Sequence, residues 1–232
     1  MTILKTEKLT KIYGKKDTAV TAVDHIDLEV KKGSFVAIVG SSGSGKSTFL
    51  HLIGGVDTPT EGEVFIEDEN IYKLSDIKRS SLRRRKIGFV FQTYNLIPVL
   101  TVEENIKMPL LLDGCKVNQE KIDSIMEDLQ LTKRKNHLPN QLSGGQQQRV
   151  AIGRALANNP SIIIADEPTG NLDKKNSEEV MELLTKAVRK GGQTLILVTH
   201  EPDIAAMADR IIHLEDGKII SDTENKNVSN PQ

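Results

Sequence analysis

A glycine-rich segment, Gly40–Thr48, is the feature that most constrains how this chain folds. It follows a largely apolar run, Ser34–Val39, of the kind found in strands that are buried on both faces of a parallel sheet. A predicted helix, Lys46–Ile53, begins inside the segment. A buried strand, a glycine turn and a helix in direct succession favour an α/β fold in which helices cover a parallel sheet.

The same segment matches the pattern G-x(4)-G-K-[ST]. Its glycines allow the backbone to curl around phosphates, and its N–H groups then form a nest for them. The Lys46 ammonium is suited to the β- and γ-phosphates of a nucleotide, and the Ser47 hydroxyl is suited to Mg²⁺. A glycine turn without a ligand is the alternative, and the flanking strand and helix disfavour it. The predicted nucleotide-binding residues are Gly40, Ser41, Ser42, Gly43, Ser44, Gly45, Lys46, Ser47 and Thr48.

Two carboxylates follow a second apolar run, Ile162–Ala165. They stand at the carboxyl end of a predicted strand, which is the sheet edge where α/β proteins bind ligands. We expect Asp166 to hold Mg²⁺ directly or through water, and Glu167 to polarise an attacking water. Acidic residues are common at strand ends, so the two carboxylates alone are weak evidence for a metal site. They indicate one because the same chain also has the glycine-rich loop.

A third motif, Leu142–Gln146, reads LSGGQ. Ser143 is a good N-cap residue for the helix that follows. The two glycines after it expose backbone N–H groups at a positive helix end, where anions bind. The residues alone leave an ordinary loop with an N-cap as an equal alternative.

Composition excludes several classes of function. The 232 residues carry 31 basic and 32 acidic side chains, for a net charge of −1, with no Trp and 3% aromatic residues. These values argue against a nucleic-acid partner. The longest apolar runs have about five residues, whereas a membrane-spanning helix needs about 20. Any membrane work by this chain is therefore expected to need another chain that spans the bilayer.

The order of these motifs resembles that of ATP-binding-cassette (ABC) ATPases. Leu142–Gln146 is similar to their signature motif, and Ser143 precedes Glu167 by 24 residues. The resemblance implies a RecA-like P-loop NTPase core with an antiparallel β subdomain and an inserted α-helical subdomain. It places the core in residues 1–91 and 159–222 and the helical subdomain in residues 92–158. Residues 223–232 are expected to form a flexible tail.

The family pattern assigns further roles by position. Tyr13 resembles the aromatic residue that stacks on adenine. Gln92 is similar to the Q-loop glutamine, which contacts Mg²⁺ or water. Asp173 resembles the D-loop aspartate of the dimer interface, and His200 resembles the switch histidine that contacts the γ-phosphate. The signature residues implied to contact ATP from the second subunit are Leu142, Ser143, Gly144, Gly145 and Gln146.

The mechanism that the resemblance implies requires two subunits. Two cassettes pack head to tail, most simply as a homodimer, and enclose two molecules of ATP with Mg²⁺. Each γ-phosphate then lies between Lys46 of one subunit and Ser143–Gln146 of the other. Hydrolysis loosens the pair, so ATP acts as the ligand of a two-state switch.

Residues 170–173 read GNLD, whereas the commoner family form is SALD, so Gly170 and Asn171 depart from it. Together with Ile87–Gln92, this resembles the ATPases of macrolide exporters, lipoprotein-releasing systems and bacitracin-type peptide-resistance transporters. The resemblance implies a permease with an extracytoplasmic domain and a place on the cytoplasmic face of the cell membrane. The expected cargo is an antimicrobial peptide, a macrolide-like drug or a lipid-linked substrate.

Two other functions use some or all of the same motifs. A signalling ATPase that regulates a cell-envelope enzyme through its permease shares every motif, as in the cell-division relative of this group. A soluble ABC ATPase of chromosome, repair or translation type is disfavoured, because there is one P-loop and Gln92 precedes Asp166 by only 74 residues.

A permease contact is predicted beside Gln92. Residues 93–100 are apolar and contain proline, and they join the predicted core to the helical insertion. With residues 108–112 they are expected to form a groove for a permease helix. Packing inside the helical subdomain is the equal alternative.

Overall fold

A computed structural model describes residues 1–225, which form ten strands and seven α-helices. The strands are β1 (Thr2–Tyr13), β2 (Val20–Lys31), β3 (Phe35–Val39), β4 (Glu61–Ile66), β5 (Glu69–Asn70), β6 (Ile87–Phe91), β7 (Ile162–Asp166), β8 (Thr194–Val198), β9 (Arg210–Glu215) and β10 (Lys218–Glu224). The helices are α1 (Lys46–Ile53), α2 (Asp76–Lys86), α3 (Val102–Leu112), α4 (Gln119–Asp128), α5 (Gly144–Leu156), α6 (Lys174–Gly191) and α7 (Pro202–Ala205). Short 3₁₀ turns cover Lys16–Thr18, Thr132–Arg134 and Pro139–Gln141.

The chain divides into two compact units. Unit 1 contains Met1–Leu82 and the chain from Thr194 onward, and it holds an antiparallel sheet with the strand order β2-β1-β4-β5. In the same unit β3 lies between β8 and β9 and is parallel to both, and β10 pairs antiparallel with β9. The four residues Phe35–Ile38 are buried, as expected for a strand with neighbours on both edges and layers on both faces.

Unit 2 runs from Arg83 to Gln193. Its strands β6 and β7 are parallel, and α5 packs against β6 and against α3. Helix α3 begins with a capping box, in which the Thr101 hydroxyl accepts from the Glu104 N–H and the Glu104 carboxylate accepts from the Thr101 N–H. This pair satisfies two of the N–H groups that a helix start leaves unbonded.

The strand and helix predictions around the motifs are confirmed, whereas helix α2 and the strands β5 and β10 were not predicted. Strand β5 has only two residues, Glu69 and Asn70. Helix α2 buries only Leu82, so it lacks the apolar spacing that indicates a helix. In β10, only Ile219 is not exposed. Its backbone is held by β9 and its Asp222 pairs with Arg210, so the polar sequence concealed an edge strand.

The predicted tail therefore begins too early, because residues 223 and 224 belong to β10. Residues 226–232 lie outside the described part of the chain. The predicted split into a core and a helical subdomain stays a prediction. It differs from the compact units, because β6 pairs with β7 and both group with the helices. Among the described residues, every helix is too short or too polar to cross a bilayer.

Candidate active site

The loop between β3 and α1 has a backbone that only glycine can adopt at two positions. Gly40 has a φ of 156°, and a Cβ there would lie 2.1 Å from the main-chain oxygen of Leu214. Gly45 has a φ of 97°, and its Cβ would lie 2.0 Å from the main-chain oxygen of Ala22. No flexible side chain could move aside to relieve these contacts. The two glycines are thus required by close backbone packing in unit 1.

Lys46 lies inside this loop. Its side chain is 7% exposed, and its ammonium donates to the main-chain oxygens of Gly40 at 2.9 Å and Ser41 at 2.7 Å. Within residues 1–225, no side chain caps the start of α1 and its first turn has no acidic residue. A helix start without a capping side chain, beside a cation, suits a bound anion. Ser41, Ser42, Gly43 and Ser47 are exposed, Gly45 and Thr48 are half-buried, and Ser44 is buried.

Tyr13 ends β1 in the same unit, and its ring is held from two sides. Its hydroxyl donates to Asp57 Oδ2 at 2.7 Å, and the ammonium of Lys11 lies 4.9 Å from the ring centre. Burial, followed by the bond to Asp57, raises the pKa of Tyr13, so the phenol stays neutral. The residue remains 43% exposed, which leaves aromatic surface for stacking.

His200 is brought to the same sheet edge as the loop. Ile38 of β3 pairs with Val198 of β8, and the chain continues from them to Gly40 and His200, each two residues further on. The carboxyl ends of parallel strands lie at the same edge of a sheet. The glycine-rich loop and His200 therefore both follow the carboxyl ends of neighbouring strands in unit 1. His200 is exposed, whereas the neighbouring Thr199 is 2% exposed.

In unit 2, the register of β6 and β7 brings three predicted residues to one edge. Phe91 pairs with Asp166, so Gln92 and Glu167 are the next residues on neighbouring strands. Glu167 has a φ of 44°, a left-handed conformation that is uncommon for residues other than glycine. Backbone strain of this kind is frequent at functional sites.

The signature residues form the start of α5. Ser143 is the N-cap, as predicted, and it makes a capping box with Gln146. The Ser143 hydroxyl accepts from the Gln146 N–H, which leaves its own hydrogen to donate elsewhere. Leu142 is buried below this helix start, and Ser143 is exposed.

The chain segments that contain the signature, Gln92 and Asp173 meet in unit 2. A Cβ on Gly144 would lie 2.8 Å from the Tyr94 hydroxyl oxygen, and a Cβ on Gly145 would lie 3.1 Å from Asn176 Oδ1. Asn176 in turn donates through its main chain to Asp173, the N-cap of α6. This bond, and a second from the Asn176 side chain, lower the pKa of Asp173. Asp173 therefore has a structural role that its sequence position did not reveal.

Gln148 is a further residue of this region that the motif analysis missed. It is fully buried in α5, and its Nε2 donates to the main-chain oxygen of Phe91 at 3.3 Å. It thereby ties the signature helix to the residue before Gln92. The sequence does carry a signal for this burial. Gln148 stands three residues before Ala151 and four before Ile152, so it lies on the apolar face of the helix, where a glutamine is unusual.

The oxygen donors at the strand edge of unit 2 fit Mg²⁺. Asp166 ends β7 beside Phe91, the residue before Gln92, so a carboxylate and an amide oxygen follow neighbouring strands. In unit 1, the Ser47 hydroxyl is an oxygen donor that also suits Mg²⁺. Among residues 1–225 no group of three His, Cys, Asp or Glu side chains is arranged to hold a metal. Mg²⁺ commonly binds through one or two carboxylates together with substrate phosphates, so such a sparse protein set suits it.

Comparisons with known proteins agree with these features. A family model described as "ABC transporter" matches residues 23–170. MJ0796, an uncharacterized ABC transporter ATP-binding protein of Methanocaldococcus jannaschii, is 48% identical over 94% of this chain and 95% of its own length. The macrolide export ATP-binding/permease protein MacB of Brucella melitensis is 43% identical over 99% of this chain, which spans 36% of MacB.

A solved structure gives the same result for the fold. The dimeric structure of MJ0796 in a post-hydrolysis state, bound to ADP and Pi, has a TM-score of 0.88 and 45% identity. The match covers 97% of this chain and 99% of that one. This likeness confirms the predicted α/β fold class with its antiparallel sheet and helical parts.

Proposed function

Since this chain belongs to the ABC transporter family and is an ATPase of that family, we propose that it drives a separate membrane permease as one subunit of an ATP-bound dimer. The observation that carries the proposal is the loop Gly40–Thr48, in which two glycines packed against backbone and a buried Lys46 precede an uncapped helix. The relatives include macrolide export proteins, so the resemblance to that group is confirmed.

ATP binds in the proposal with its phosphates against the start of α1. The N–H groups of the loop and the Lys46 ammonium neutralise phosphate charge, and Ser47 and Thr48 add hydroxyls. The Tyr13 ring stacks on the adenine. Ser47, Gln92 and Asp166 are the proposed ligands of Mg²⁺, which would neutralise phosphate charge when bound.

Hydrolysis needs a base and groups that orient water. Glu167, which follows β7 in a strained left-handed conformation, is the proposed base that accepts a proton from the attacking water. Gln92 lies one residue past the partner strand and orients water with its amide. His200 donates to the γ-phosphate from the edge that it shares with the loop.

Dimerisation completes the site. The start of α5 offers N–H groups at Gly144 and Gly145 and the free hydrogen of the Ser143 hydroxyl to an anion. In a head-to-tail homodimer this helix start contacts the γ-phosphate of ATP on the second subunit, with Asp173 at the interface. Two solved structures of the relative MJ0796 are described as dimeric, which supports this arrangement.

The partner in this proposal is a membrane permease, which the name of the MacB relative, an ATP-binding/permease protein, supports. The cassette then works at the inner face of the cell membrane, and the permease carries the extracytoplasmic domain. The proposed cargo is an antimicrobial peptide, a macrolide-like drug or a lipid-linked substrate. Reconstitution of the complex in vesicles tests export. ATP turnover without movement of any of these molecules would favour the signalling alternative.

The exposed apolar residues of unit 2 support a permease contact beside Gln92. Val99 is 77% exposed, and Leu111 and Leu112 at the end of α3 are 57% and 65% exposed. Side chains of this kind lose contact with water when a partner helix covers them. The exposure disfavours the alternative that residues 93–100 and 108–112 are wholly internal packing.

Changing Val99 to aspartate is expected to weaken the permease complex. Burial of a new carboxylate against an apolar partner is costly, so the amount of permease that co-purifies with the cassette should fall at least about tenfold. Ile220→Asp is the matched control, because Ile220 is 53% exposed on β10 in unit 1. The ATPase rate of the isolated cassette should be the same in both variants. Equal recovery of permease with the parent and Val99→Asp would contradict the proposed contact.

A further inference from the structure

Gln92 and Asn171 bond to each other through both their amide groups and the backbone. Asn171 Nδ2 donates to the main-chain oxygen of Gln92 at 2.9 Å. Gln92 Nε2 donates to Asn171 Oδ1 at 3.5 Å. Both residues lie in unit 2. A reciprocal pair of this kind constrains both the loop after β6 and the turn after β7.

The chemistry of the pair fixes which end of each amide faces which group. A main-chain carbonyl only accepts hydrogen bonds, so Asn171 must turn its nitrogen toward the Gln92 carbonyl. Its oxygen is then left for the Gln92 side chain, which must present Nε2. The remaining end of the Gln92 amide, Oε1, is therefore directed away from Asn171.

Gly170 makes room for this arrangement. A Cβ at position 170 would lie 2.6 Å from Gln92 Nε2 and 3.1 Å from Gln92 Cδ. Any other residue would push the Gln92 amide from its position beside Asn171. The two departures from the commoner SALD form, Gly170 and Asn171, thus act on the same side chain.

We propose that Gly170 and Asn171 are positioning residues that hold the Gln92 amide with its oxygen, and not its nitrogen, available to Mg²⁺. The inference rests on the proposed role of Gln92 toward the metal of bound ATP. Mg²⁺ binds oxygen ligands, and the nitrogen of a carboxamide donates hydrogen bonds and does not ligate it. A reversed amide would therefore present the wrong end.

The test measures how much Mg²⁺ strengthens ATP binding. All variants contain Glu167→Gln so that ATP persists, and a fluorescent ATP analogue is titrated with Mg²⁺ and with EDTA. The gain from Mg²⁺ is the ratio of the dissociation constant in EDTA to that in Mg²⁺. Asn171→Ala should lower this ratio by roughly three- to tenfold, which corresponds to the free energy of one or two hydrogen bonds. It should leave the dissociation constant in EDTA unchanged. Gly170→Ala should act in the same direction. Asn136→Ala, at an exposed asparagine of the same unit, is the control.

A double-mutant cycle separates this inference from the function on which it rests. In a Gln92→Ala background, Asn171→Ala should have no further effect, because the amide that it positions is absent. An equal loss in both backgrounds would overturn the positioning role. If Gln92→Ala itself leaves the gain from Mg²⁺ unchanged, the metal role of Gln92 fails, and the inference fails with it. Asn171 is exposed, so melting temperatures should match the parent.

Discussion

Replacing Glu167 with glutamine is expected to stop ATP turnover while ATP binding persists. The amide is nearly the same size as the carboxylate but cannot accept the proton of the attacking water. Loss of a positioned base lowers the rate about 100- to 10,000-fold. The rate of phosphate release from ATP should therefore fall by a factor in that range. The ATP that remains bound should hold two subunits together. The mass in solution, measured by light scattering, should therefore double when Mg²⁺ and ATP are added.

The control for this prediction is Glu120→Gln, an exposed glutamate on α4 in the same unit. It should hydrolyse ATP at the parental rate and show no stable dimer once its ATP is consumed. Hydrolysis by the Glu167→Gln chain at the parental rate would remove Glu167 from the role of base. A blocked rate with a monomeric mass in ATP would instead contradict the shared site.

Lys46→Ala is expected to remove most of the affinity for ATP. The ammonium lies in the loop, bonded to the carbonyls of Gly40 and Ser41, so it needs little rearrangement to meet a phosphate. Hydrogen bonds to charged groups contribute about 1.5–3 kcal/mol each. The loss of one such bond corresponds to a dissociation constant for ATP that is roughly 10- to 100-fold larger. Titration with a fluorescent ATP analogue measures the change.

Lys32→Ala is the matched control, because Lys32 is exposed in the same unit and outside the loop. It should bind the analogue as the parent does. The thermal melting curve of Lys46→Ala must be recorded as well, since the ammonium also bonds to loop carbonyls. An unchanged dissociation constant with a lowered melting temperature would assign Lys46 to loop stability alone and contradict its role toward phosphate.

The local elements around the motifs could be predicted because their signals are local. The apolar run of β3 and the cap at Ser143 each depend on residues within a few positions of one another. The helix α2 and the edge strand β10 could not be predicted. Helix α2 buries a single side chain and β10 buries none, so neither carries an apolar period that a sequence can reveal. Strand β10 is held by its backbone pairing with β9.

The candidate site divides in the same way. The sequence by itself determined the nucleotide loop, the paired acids after β7 and the helix start at Ser143, because each is a contiguous motif whose chemistry is carried by adjacent residues. Only the tertiary structure decided that Phe91 pairs with Asp166, that Gln148 bonds to the main chain of Phe91, and that Asn171 bonds to Gln92. These contacts join residues 57 to 79 positions apart. Chain folding selects such pairs through strand register and packing, which no short stretch of sequence encodes.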